Sequence, residues 1–73
     1  MYTEKIQKLE NEILELKKYI KKDKKEIKKR EKILSMVIAN DVEVDIEMYK
    51  EEIEKFTNEL KTRKELIKNY KKL

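Results

Sequence analysis

The chain has 73 residues, a net charge of +4, no Gly, Pro, Cys or His, and 49 % charged side chains. That length allows one small domain, and the missing residue types exclude a disulfide scaffold and Cys/His zinc sites. Charge at this level with apolar residues at heptad spacing marks long helices; without the periodicity it would mark disorder.

The first predicted helix spans about residues 3–39, with Thr3 as its N-cap. Apolar residues recur every seven positions at Ile6, Ile13, Ile20, Ile27 and Leu34. An offset series runs through Tyr2, Leu9, Leu16, Asp23, Arg30 and Val37. A helix gathers such positions into one seam that needs a helical partner. Asp23 and Arg30 are the charged interruptions of that seam.

From Leu34 to Ile46 the pattern slips by five positions, beyond the three or four that a continuous coiled coil absorbs. A turn over about residues 40–44 is therefore expected, with Asn40 ending the first helix in a left-handed conformation and Asp41 or Asp45 capping the next. Val42 to Met48 also alternates apolar and acidic residues as a half-buried strand would, but a lone strand has no sheet to join.

The second predicted helix spans about residues 45–72, with seam residues Ile46, Tyr49, Ile53, Phe56, Leu60, Arg63, Ile67 and Tyr70. The expected fold class is all-α, a single domain over 1–73 formed by a two-helix antiparallel coiled-coil hairpin that dimerises. Two registers suit the seams. One sets Ile20 opposite Phe56 and leaves almost no loop. The other sets Ile27 opposite Phe56 and Leu34 opposite Tyr49. The second is preferred because it pairs Asp23 with Arg63, places Tyr19 against Leu66 and frees residues 39–44 to turn. It also leaves Tyr2, Ile6 and Leu9 overhanging the end of the second helix. With Ile33, these are the candidate dimerisation residues, since a two-helix core alone is thin for a small scaffold.

Charge is segregated along the chain. Residues 1–16 carry −2, 17–32 carry +7, 33–60 carry −6 and 61–73 carry +5. Folding back sets each basic stretch beside an acidic one, which selects orientation more than it stabilises.

Little here can carry catalysis. Ser35 is the only serine, and without cysteine or histidine no Ser-His or Cys-His pair can form. There is no glycine loop for phosphate and no Glu-x-x-His for a metal site in a bundle. The carboxylates sit mainly on lysine-rich solvated faces, an environment that does not make a general acid. The expectation is a non-enzyme with no cofactor, no metal and no small-molecule substrate. No apolar run approaches a membrane span and no signal-peptide core follows Met1, so a cytoplasmic protein is expected.

Two stretches could bind a partner. Lys17, Lys18, Lys21, Lys22, Lys24, Lys25, Lys28, Lys29, Arg30 and Lys32 form a basic run. Lys21, Lys22, Lys25, Lys28 and Lys29 are its candidate phosphate contacts, though the base-reading arginine is nearly absent and Tyr19 is the one aromatic within it. The simpler explanation is a solvated face neutralised by the second helix, Glu26 and Glu31. The turn region offers Met36, Ile38, Val42, Val44 and Met48 among Asp41, Glu43, Asp45, Glu47, Glu51 and Glu54. An apolar centre ringed by carboxylates fits a basic protein surface, or closes on itself or on a twin copy.

Lysine outnumbers arginine eighteen to two, isoleucine occurs nine times and alanine once, a bias of AT-rich bacterial and phage genomes. In size, lysine-rich composition and helical seams, the whole chain resembles the small host-takeover proteins of phages that infect Gram-positive bacteria. Among these it resembles the staphylococcal-phage inhibitors of the replicative DNA sliding clamp. That resemblance implies a helical dimer acting in the host cytoplasm, seated in the clamp's basic DNA channel, with Asp41 to Glu54 standing where phosphates would lie. A lysine-rich hairpin binding nucleic acid, and a structural or assembly coiled coil, are the alternatives.

Overall fold

A computed structural model of the chain describes residues 2–36 and 40–73. Two helices, α1 (Thr3–Leu34) and α2 (Asn40–Lys72), pack along their whole lengths as an all-α hairpin. The result is a rod with Cα extents of 56 × 14 × 12 Å. The residues from Val42 to Met48 are helical throughout, so their alternation does not produce a strand.

The first correction concerns the turn. Helix α1 stops at Leu34, five residues short of the expected end, and Asn40 opens α2 instead of closing α1. Ser35 shows why. Its hydroxyl donates to the Lys32 carbonyl at 2.6 Å, and the Met36 N–H closes a tighter turn on the Ile33 carbonyl at 3.0 Å. Both satisfy carbonyls that a helix end leaves without partners. Asn40, Asp41 and Glu43 then fall in the first turn of α2, where carboxylates meet the positive end of the helix dipole. The expected turn residues 40–44 are thus helix-starting residues, and Val37, which was placed in the seam, lies outside the described residues.

The earlier turn decides the register. Tyr2 stacks on Tyr70 with ring centroids 5.2 Å apart, Tyr19 meets Phe56 at 5.6 Å, and Arg63 reaches Glu12. These contacts match the register that sets Ile20 level with Phe56, so the preferred alternative, one heptad away, is not formed. Tyr19 packs on Phe56, not on Leu66, which lies with Leu9, Glu12 and Tyr70 nearer the chain ends. No overhang remains: Tyr2 lies on Tyr70, and Ile6 and Leu9 are half-buried along the hairpin. Thr3 is not the N-cap either. That position falls to Tyr2, which makes no side-chain capping bond and is held by the stack on Tyr70.

The core is thin. Among the described residues, Ile13, Leu16 and Ile46 are the buried apolar ones, and none of their side chains is completely enclosed. Polar clamps supplement it. Arg63 Nε donates to Glu12 Oε2 at 2.8 Å, and Arg30 Nε donates to Asp45 Oδ2 at 3.5 Å. The chain's two arginines are therefore both seam residues that bridge the helices, while its lysines decorate the outside. A planar guanidinium suits that position because it can hold several acceptors at once.

Candidate functional site

Asp23 is the anomaly of the seam. Its side chain is buried, 6 % exposed, at a position where the heptad calls for an apolar residue. The expected partner, Arg63, is elsewhere, committed to Glu12 and to the Glu59 carbonyl. Asp23 Oδ2 is buried with no hydrogen-bond partner among the described residues. Burial pushes its carboxyl above the usual aspartate range; Glu52 and Glu26 add to the shift and Lys22 opposes it. Most carboxylates do lie on solvated faces, but this one does not.

A cleft of about 390 Å³ opens over Asp23. Tyr19 and Phe56 form one wall, Tyr49 and Glu52 come from α2, and Glu26 and Lys22 complete the rim from α1. Arg30 lies beside it with its guanidinium 4.8 Å from the centre of the Tyr49 ring. It also pairs with Glu26, and that hydrogen bond draws the Glu26 carboxyl below its usual range and raises the guanidinium in turn. In sequence Arg30 belongs both to the basic run and to the seam. Its seam position and Glu26 four residues earlier were the signals that it faces inward.

The turn end places its residues unevenly. Met36 is 74 % exposed, and Val44 and Met48 are each 58 % exposed, one helical turn apart on α2. At 3.6 residues per turn, Asp41 lies along one edge of that stripe; Glu47 and Glu51 lie along the other, with Glu43 and Glu54 further round. All five carboxylates are exposed. Two of the candidates do not join them. Asp45 is half-buried and bonded to Arg30, and Val42 is half-buried. Ile38 lies outside the described residues. Among the candidate dimerisation residues, Ile33 remains 46 % and Tyr2 41 % exposed.

Lys21, Lys25, Lys28 and Lys29 are exposed on the α1 face turned away from the seam, and Lys22 is exposed at the rim of the Asp23 cleft. Among the described residues, no lysine between 17 and 32 lies within ion-pair distance of a carboxylate. No contact ion pair therefore forms there, although Lys22 and Lys29 still act on Glu26 through space.

Among the described residues, no cluster of three or more His, Cys, Asp or Glu is placed to hold a metal ion, and no helix is long and apolar enough to cross a membrane. No known family model, curated protein or solved structure matches the chain.

Proposed function

We propose that this chain is a non-enzymatic helical interaction protein, a phage-type inhibitor that lays its acidic turn end on the basic DNA channel of a host sliding clamp. The supporting observation is the pairing of exposed Met36, Val44 and Met48 with exposed Asp41, Glu47 and Glu51 at one end of a rod. Flexible thioethers adapt to a partner's apolar pockets, and the flanking carboxylates steer the approach to a basic surface. Two helices side by side, each about 10–12 Å across, are slender enough to enter a channel. A second copy completing the thin core belongs to the same proposal.

Calorimetry of the full chain against a purified Gram-positive sliding clamp tests it, with sedimentation reading the number of copies. Binding that drops at least about tenfold in the triple variant Glu47→Lys, Glu51→Lys, Glu54→Lys fits the proposal. Absence of binding by the wild-type chain removes the clamp as target.

One observation favours a second possibility. The unpaired lysines of α1 form a continuous basic face about 24 Å long, at 1.5 Å per residue, that could track phosphates. Gel shifts on arbitrary DNA at two salt concentrations separate the two. Affinity that falls steeply with salt supports phosphate contacts, and no shift at physiological salt dismisses them.

A further inference from the structure

We infer that the cleft bounded by Tyr19, Asp23, Tyr49, Glu52 and Phe56 is a binding site for a primary alkylammonium group, a function separate from the turn-end surface. The inference begins with Asp23. An uncompensated buried carboxylate in a heptad seam lowers stability, and such departures from local consistency concentrate at functional sites. Here the departure sits under an open cleft with aromatic walls, and the buried Oδ2 lacks a donor.

The surroundings select the ligand class. Tyr49 already carries the Arg30 guanidinium on its ring, which leaves the Tyr19–Phe56 pair as the aromatic wall that can take a cation. Glu26 is engaged by Arg30, which leaves Asp23 and Glu52 as the carboxylates without an ion pair. Lys22, on the rim, is not within ion-pair distance of either, so the chain's own ammonium does not fill the site. Asp23, Glu26 and Glu52 do not form a metal-holding cluster, which favours an organic cation. A compact ammonium supplies N–H donors to a recessed carboxylate, while its alkyl stem covers the aromatic wall. A guanidinium would bring five donors to two available carboxylates, and a quaternary ammonium would bring none.

The chemistry is shared by free polyamines and by a lysine side chain of a partner protein. Two-dimensional NMR of the full-length chain in low salt tests the site. The titrants are n-butylammonium, spermidine, Nα-acetyl-lysine-N-methylamide and tetramethylammonium, against sodium chloride at equal ionic strength. Saturable shifts centred on Tyr19, Asp23, Tyr49, Glu52 and Phe56 are expected with the three primary amines. Asp23→Asn should weaken them about tenfold or more, the scale of a hydrogen bond to a charged group. Glu52→Gln, at an exposed position that does not endanger the fold, should weaken them a few-fold. Circular dichroism checks that both variants stay helical. Spermidine outcompeting the lysine derivative identifies a free polyamine as the source; the reverse identifies a partner's lysine. Shifts no larger than those from sodium chloride, undiminished affinity in Asp23→Asn, or equal binding of tetramethylammonium would each overturn the assignment.

Discussion

Asp23 occupies a seam position flanked by Ile20 and Ile27, and Asp23→Leu measures what that choice costs the fold. The carboxylate is 6 % exposed and has an unsatisfied oxygen, with Glu26 and Glu52 as like-charged neighbours. Leucine removes the buried charge and adds apolar burial worth about 1.5–3 kcal/mol if fully realised. Exchanges of buried charged groups for apolar ones are worth about 1–4 kcal/mol, so a gain of about 2–4 kcal/mol is expected. At about 4–8 °C per kcal/mol for a domain of this size, the midpoint should rise by about 8–32 °C. Urea and thermal melts followed by circular dichroism at fixed chain concentration provide the measurement. Asp23→Asn, which removes the charge but keeps the shape, should give a smaller gain. A leucine variant no more stable than wild type would show that Asp23 finds a donor in solution, and the reasoning from an unpaired carboxylate would fail.

Further expectations follow from the clamps and the register. A double-mutant cycle between Arg63→Ala and Glu12→Gln should return a coupling of about 0.5–1 kcal/mol, given the half-buried geometry, while the cycle with Asp23→Asn should return close to none. The chain has no cysteine, so Tyr2→Cys with Tyr70→Cys gives a readable cross-link. It should form readily under mild oxidation, whereas the register setting Ile27 opposite Phe56 would put Tyr2 level with a point beyond Leu73. The raised Asp23 carboxyl binds its proton more tightly folded than unfolded. Stability from this group therefore falls as pH rises from the ordinary aspartate range through the raised value. The gap between wild type and Asp23→Asn in urea midpoint should accordingly shrink on acidification through that window. Glu26 works in the opposite sense at lower pH. Its hydrogen bond to Arg30 stabilises the fold above the ordinary glutamate range and is lost as pH drops through the lowered value, a loss that Arg30→Lys should reduce.

Much of the architecture was legible in the residues because it is periodic. Ile6 to Leu34 and Ile46 to Tyr70 repeat at seven, and the five-position slip between them favours a break over one continuous rod. Helix type, helix number and the reversal of direction all follow from that local pattern. Register was not legible, because two alignments one heptad apart bury equivalent apolar stripes, and the Asp23–Arg63 pairing that favoured one of them is outweighed by the packing the other allows. Ser35 and Met36 close α1 and Asn40 opens α2, which brings Tyr2 to Tyr70 and Glu12 to Arg63. That same choice separates Asp23 from the one arginine that the alternative alignment would have given it. Sequence alone thus determined a pair of helices with a charge buried between them. Only the tertiary structure decided that the charge lies unpaired beneath an aromatic cleft, because its neighbours come from a second helix whose offset is set by contacts spread along the whole seam.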